Sequence, residues 1–323
     1  MRIASLLPAA TEWICAFGAE DALSARSHEC DHPPSVADVP VVTQATYDGS
    51  GDSKAIDDAV QSTLQDGLSL YDVDLDRLRA LDPDLIVTQD QCEVCAVSRS
   101  QLDDALAAWN GPAPEVLSLK PQTFKEVLDG ALRLGRAIDR TDTAMQVIAD
   151  LERRLQALRA SLGVERRTDP ETLPTVACIE WMEPLMVAGH WMPDVANHAG
   201  AQALVTEAGA PSQTIDWEDL RAADPDAIAV LPCGFTLDET VRDLSYLTDR
   251  DGWSDLSAVR NGRVFLFDGT AYFNRPGPRL YRSVALLADA LHPGRGSLDP
   301  PPAPWERIDF EDVSADAARP DPA

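Results

Sequence analysis

The 323-residue chain is 45% hydrophobic and carries a net charge of −27, from 27 Lys+Arg against 54 Asp+Glu. It can build two ordinary cores, and it lacks the basic face that a nucleic acid or an anionic membrane surface demands. Its three lysines are Lys54, Lys120 and Lys125, so arginine supplies almost all the positive charge on an acidic surface.

In chain order, "RIASLLP" reads as an apolar strand and "ATEWICAFGA" as a helix with Thr11 as its cap. The start "MRIASLLPAATEW" passes straight into that strand without the basic start, long apolar run and cleavage site of a secretory leader. The expectation is therefore a cytoplasmic chain, or a periplasmic one if the true start lies upstream, with its six cysteines reduced. No run is long enough for a membrane span. "LDPDLIVTQ" and "EVLSL" read as further strands. Next, "DTAMQVIADLERRLQALRASLG" places Met145, Ile148, Leu151, Leu155, Leu158 and Leu162 on one helical stripe, stopped by Gly163. A polar stretch leads to the strand "TVACIEW". The alternation of strand and helix predicts an α/β chain with parallel sheets covered on both faces.

A repeat divides the chain. "VDLDRLRALDPDLIVTQ" (73–89) resembles "IDWEDLRAADPDAIAVLP" (215–232): a short helix, an Asp-Pro-Asp turn, then a buried strand. The predicted organisation is an α/β lobe over 1–138, a linking helix over 139–163, a second lobe over 164–292, and a Pro/Asp-rich tail over 293–323 that is partly disordered.

Ligands of parallel sheets bind beyond the carboxyl ends of the strands. Five segments fall there: "SHECDHP", "QDQCEVC", "EWMEPLMVAGHWMPD", "PCGF" and "GTAYFNRPGPR". They supply His28, Glu29, Cys92, Glu180, Trp181, His190, Trp191, Phe235, Tyr272, Phe273 and Arg275 as candidate ligand-binding residues. Aromatic side chains on strand-end loops suggest a flat apolar ligand face, or packing that pins the loops. Cys30, Cys92, Cys95 and Cys233 could hold zinc or an iron–sulfur centre as thiolates. With a single C-x-x-C pair they could equally be polar residues of the loop walls, and a redox dithiol or a disulfide are further readings. Cys15 and Cys178 fall in apolar patterns and read as core, and Trp13, Trp109 and Trp253 read as structural. No catalytic motif is present: there is no G-x-S-x-G, phosphate-binding glycine loop or H-E-x-x-H.

The segments "RIASLLPAATEWICAFGAEDAL", "SHECDHPPSVADVPVV", "LRALDPDLIVTQ", "LRAADPDAIAVLPCG" and "YFNRPGPRLYRSVALLADAL", with the long helix between them, resemble the iron-siderophore/cobalamin class of periplasmic binding proteins. The cobalamin-binding members are the most similar. The resemblance covers roughly residues 1–292 and implies two Rossmann-like lobes joined by a single long helix. It further implies a metal chelate, a corrinoid first, held between the lobes against Trp181, Trp191, Tyr272 and Phe273, with Arg275 paired to a carboxylate or phosphate of the ligand. The implied partners are that small molecule and an ABC transporter permease, with a monomer expected and no nucleic acid or membrane insertion. The missing leader and the thiols and histidines of "SHECD", "QCEVC" and "AGHW" set this chain apart from the exported cobalamin binders. The alternative is a cytosolic enzyme or sensor with a Cys/His zinc or iron–sulfur centre on the same loops.

Overall fold

The structure is a computed structural model that describes residues 1–66, 69–89, 102, 106, 109, 112–164, 173–295 and 305–307. Two compact units emerge. The first comprises Met1–Arg154 with Arg275–Arg279, and the second Leu155–Asn274 with Leu280–Ala323.

The first unit is built on β1 (Ile3–Ser5), β2 (Leu23–Arg26), β5 (Leu85–Gln89) and β6 (Glu115–Leu119), all parallel, in the order β2-β1-β5-β6. A separate antiparallel pair joins β3 (Thr43–Ala45) to β4 (Tyr71–Val73). All five residues of β5 are buried, as expected of a parallel strand covered on both faces. Among the described helices of this unit are α1 (Pro8–Ala16), α2 (Ser53–Gln65), α3 (Leu75–Leu81) and α4 (Phe124–Ala137). Thr11 does not cap α1. The helix starts at Pro8 with Leu7 as N-cap, because proline's fixed φ and missing N–H suit a first turn. Thr11 lies inside the helix, where its hydroxyl donates to Ser5 Oγ at 2.8 Å and approaches Cys30 Sγ at 3.0 Å.

The apolar stripe forms α5 (Thr141–Leu162), 22 residues long, and Gly163 follows at φ 71°. Leu151, Leu155, Leu158 and Leu162 are buried, but Met145 is 54% exposed. Ala144, one position earlier and fully buried, takes the place expected of Met145 on the covered face, in step with Ile148 and Leu151. The division between the compact units falls inside this helix, between Arg154 and Leu155.

In the second unit, β7 (Thr175–Trp181), β11 (Ala227–Val230) and β12 (Val264–Leu266) are parallel neighbours. On the β7 side, β8 (Met186–Val187) pairs antiparallel with β7 and β10 (Gln213–Thr214) with β8, while β9 (Gln202–Ala203) runs parallel to β7. Beyond β12 lies β13 (Glu306–Arg307), antiparallel to it. The described part of the tail therefore returns to the sheet, with the Trp305 ring edge-on to Phe265 at 5.4 Å and its Nε1 donating to Asp289. The described helices of this unit include α6 (Met192–His198) and α7 (Trp217–Ala223), and the helix Leu280–Leu291 packs its buried face inside the same unit.

The sequence repeat is a structural one. α3 and α7 both end on an aspartate in the left-handed region, Asp82 at φ 46° and Asp224 at φ 40°. Asp tolerates this conformation better than a branched residue, and the next residue is Pro, which cannot continue a helix. The second aspartate of each turn then accepts an N–H at the start of the neighbouring strand: Asp84 from Arg2, the residue before β1, at 2.6 Å, and Asp226 from Thr175, the first of β7, at 2.8 Å. These bonds tie β5 beside β1 and β11 beside β7 in the same way.

Candidate ligand-binding loops

In the first unit the chain leaves β2 into Ser27–Pro33. Thr43, at the start of β3, organises the loop. Its hydroxyl lies 3.0 Å from Ser27 Oγ, 3.0 Å from His28 N and 2.7 Å from His28 Nδ1. The other ring nitrogen of His28, Nε2, faces Glu29 Oε1 at 3.6 Å. Burial lowers the pKa of His28, outweighing the attraction of Glu29, so the ring is neutral at neutral pH.

Two arginines fix the loop backbone. Arg26 donates to the carbonyls of Ser27 (3.3 Å), Cys30 (2.9 Å), Ala37 (3.0 Å) and Val39 (3.1 Å). Arg275, which is 8% exposed, donates through Nη1 to Asp31 Oδ1 and through Nη2 to Asp31 Oδ2 at 3.1 Å and to the Glu29 carbonyl at 3.2 Å. The expectation that Arg275 pairs with a ligand anion meets a guanidinium already bound in a bidentate pair. Burial opposes ionisation of Asp31, but Arg275, by hydrogen bond and charge, holds its carboxyl below the usual range.

Cys30 is 1% exposed, and burial pushes its thiol up to about 11 despite the nearby Thr11 hydroxyl. It is a buried thiol rather than a thiolate ligand at neutral pH. Cys92 and Cys95 lie outside the described residues. Cys178 is fully enclosed in β7, with a pKa raised by burial to about 12, whereas Cys15 is only half-buried on α1. Among the described residues no group of three or more His, Cys, Asp or Glu side chains could hold a metal ion.

In the second unit, Glu180, Trp181, His190, Trp191, Phe235, Tyr272 and Phe273 come from loops and strand ends beyond the adjacent β7, β11 and β12. Trp181 is the last residue of β7, half-buried, with its ring edge-on to Phe235 at 5.2 Å. Glu180 Oε2 accepts from the Ser212 hydroxyl at 2.8 Å, and Ser212 Oγ accepts from Gly189 N at 3.0 Å. A Cβ on Gly189 would fall 2.4 Å from the Ala210 carbonyl oxygen, so only glycine fits this close approach. The next residue, His190, sits at φ 53°, with its N–H bonded to Ala210 O at 2.6 Å and its ring against Trp191 at 5.9 Å. Burial lowers its pKa as well.

Three of the seven are packed away. Trp191 is 8% exposed and donates its Nε1–H to the Phe273 carbonyl at 3.0 Å. Phe273 has no exposed surface and lies on Phe267 at 5.0 Å, and Phe235 is 3% exposed. These rings pin the loops, whereas Trp181, His190 and Tyr272 remain partly open. Cys233 is half-buried, with its backbone N–H on the Glu180 carbonyl at 3.1 Å. Trp13 and Trp253 are buried, and Trp109 packs on the first unit's core, all structural as their sequence contexts suggested.

Sequence reasoning missed the residues that hold these loops. Thr43 and Ser212 are distant in sequence from what they orient, and nothing local announces them. Asp31 lay within the quoted "SHECDHP" yet was passed over, since one carboxylate in so acidic a chain carries little information.

Both α/β units thus carry aromatic or imidazole side chains beyond the carboxyl ends of parallel strands, where such sheets bind small molecules. Residues 3–271 match the periplasmic binding protein family, and the chain belongs to it. A curated relative in Bacillus subtilis, an uncharacterized ABC transporter substrate-binding lipoprotein, is 24% identical over 233 residues. That match covers 68% of this chain and 66% of the relative, just under two thirds of its length. Among solved structures, a periplasmic heme binding protein from Pseudomonas aeruginosa has a TM-score of 0.66 at 23% identity, covering 92% of this chain and 94% of the other. The periplasmic vitamin B12 binding protein of Vibrio cholerae gives 0.64 at 20%, covering 90% and 96%. An ABC-type Fe3+-hydroxamate transport protein from Saccharomonospora viridis gives 0.61 at 18%, covering 90% and 93%. At these identities the likeness is one of fold. Among the described residues no helix is long and apolar enough to cross a membrane.

Proposed function

We propose that the chain is a substrate-binding protein for a metal chelate of tetrapyrrole size, a corrinoid first, and that it hands this ligand to an ABC transporter permease. The observation that carries the reading is the set of half-buried Trp181 and Tyr272 rings and neutral His28 and His190 imidazoles beyond the carboxyl ends of parallel strands. Such rings offer flat apolar area, and neutral imidazoles offer nitrogen donors without the cost of burying charge. The heme binding protein, the vitamin B12 binding protein and the Fe3+-hydroxamate transport protein that share this fold support the chelate class.

The charges favour a corrinoid within that class. Arg26 and Arg275 are committed to loop carbonyls and Asp31, and Arg250 to Glu183 at 2.7 Å and the Met182 carbonyl. Lys120 is exposed at the end of β6. A ligand rimmed by carboxylates would find these arginines occupied and would approach a chain of net charge −27. Amide-rimmed corrinoids meet neither obstacle. We assign the chain no catalytic step.

Metal analysis and visible absorption of protein purified from cells supplied with corrinoid and haem test this. Cobalt with corrinoid bands is the expected result. Stoichiometric zinc or iron without a chelate would replace this reading with a cysteine metal centre.

A further inference from the structure

Arg275–Arg279 belongs to the first unit, although the residues on both sides of it belong to the second. The segment is gripped along its length. Arg279 meets Glu12 in a second bidentate pair, Nε to Oε2 at 2.9 Å and Nη2 to Oε1 at 2.6 Å, and the Glu12 side chain is only 1% exposed. Trp13 Nε1 donates to the Pro276 carbonyl at 3.0 Å. Gly277 lies against the same carboxylate, where an added Cβ would stand 2.9 Å from Glu12 Oε2.

We propose that Arg275 is a positioning residue for the ligand loop Ser27–Pro33, setting where His28 and Glu29 point without touching ligand itself. The carbonyls of Ser27 and Cys30 are taken by Arg26 and that of Glu29 by Arg275. Two planar guanidinium groups thus account for three loop carbonyls, and the pair with Asp31 adds a side-chain anchor at the loop's far end. Between these anchors His28 is oriented by Thr43. A loop ordered before binding loses less freedom on binding, which is how a distant arginine can raise affinity.

The part of this inference concerning affinity rests on the chelate reading; the part concerning loop order does not. Hydrogen exchange and cyanocobalamin titration are therefore run together on the full chain, for wild type, Arg275→Ala, Arg275→Lys and Asp31→Asn. In Arg275→Ala, peptides covering 27–33 should exchange at least tenfold faster, while those of α4 and β7 stay unchanged. Cyanocobalamin affinity should fall about tenfold at unchanged stoichiometry, with Arg275→Lys intermediate in both readouts. If Arg275→Ala does not fold, Asp31→Asn serves, and its loop peptides should exchange severalfold faster. Affinity lost with loop exchange unchanged would overturn the proposal by making Arg275 a contact residue. Exchange that rises uniformly through the first unit would overturn it by making the role general stability. If wild type binds no cyanocobalamin, the corrinoid reading fails, and the exchange measurement still decides whether Arg275 orders the loop.

Discussion

The two units hold their strand-end loops by different physics. In the first, charge does it: Arg26 and Arg275 collect loop carbonyls and Asp31, and Arg279 closes on a buried Glu12. In the second, one arginine also contributes, Arg250 on Glu183 and the Met182 carbonyl, but close backbone approach holds the loop after β12. Gly269 lies so near the Leu231–Pro232 backbone that an added Cβ would stand 2.0 Å from the Pro232 oxygen. Thr270 N donates to Phe235 O at 3.1 Å, and Asn274 Nδ2 to Leu231 O at 3.0 Å. Charges on the first unit's loop are therefore spent on shape. In the second, glycine and packing set most of the shape, with Arg250 adding its pair to Glu183, and Trp181 and His190 stay partly open.

The largest expected effect tests the packing side. Gly269→Ala forces backbone against backbone, which no rotamer change relieves, and should cost about 4 kcal/mol, beyond the usual range for overpacking. A urea midpoint within error of wild type would show that the contact yields easily. On the ionic side, Arg279→Ala leaves the Glu12 carboxylate buried without its partner. The expected loss is about 3 kcal/mol, the lower end for a broken buried pair because the Arg279 side chain is 20% exposed and water can follow it out. Glu12→Gln with Arg279→Ala should recover part of that loss, and failure to do so would mean that packing, not charge, sets the cost.

Acid should separate the units at chosen residues. Burial lowers the pKa of His198 at the end of α6, with Arg159 adding to the shift and Asp194 opposing it. Below 6.5 the unfolded chain takes a proton that folded His198 refuses, so its stabilisation is lost as pH falls from 6.5 toward the lowered folded value. The melting-temperature gap between wild type and His198→Gln should narrow between pH 7.5 and 5.5; a constant gap would mean that His198 does not titrate there. Asp31 behaves otherwise. Its depressed carboxyl contributes stability above 3.8 and loses it only as pH falls through the lower folded value, so Asp31→Asn should leave the pH 5.5–7.5 range flat. The smallest effect is that of salt. Asp31 is 60% exposed at its side chain, so Asp31→Asn should cost under about 1 kcal/mol in dilute buffer and less in 1 M salt, where the screening length is about 3 Å.

Much of the frame was legible because it is local. Apolar runs of strand length became β1, β5, β7 and β11, and the two Asp-Pro-Asp turns became matching left-handed helix ends. The same spacing missed by one position at Met145, because steps of three and four fit the period equally well and it is Ala144, four before Ile148, that is covered. The loops after β2, β7 and β12 were found by position, since binding chemistry in such sheets collects beyond strand ends. What each side chain does there was not legible. Arg275 and a ligand-pairing arginine look alike in sequence until Asp31 is brought to it, and Phe273 looks like Tyr272 until one ring is enclosed and the other left open. Those differences depend on contacts between residues far apart in the chain. The motif "QCEVC", which stood out most in the sequence, lies outside the described residues.

The central claim is chelate binding through the partly open rings, and the most direct test is a tryptophan-fluorescence titration of wild type and Trp181→Ala with cyanocobalamin, haemin and a ferric hydroxamate. The account predicts saturable one-to-one quenching by at least one chelate, tightest for cyanocobalamin, with affinity about tenfold weaker in Trp181→Ala, as expected for loss of one aromatic contact of 1–1.5 kcal/mol. Linear, unsaturating quenching by all three chelates, identical in wild type and variant, would contradict it.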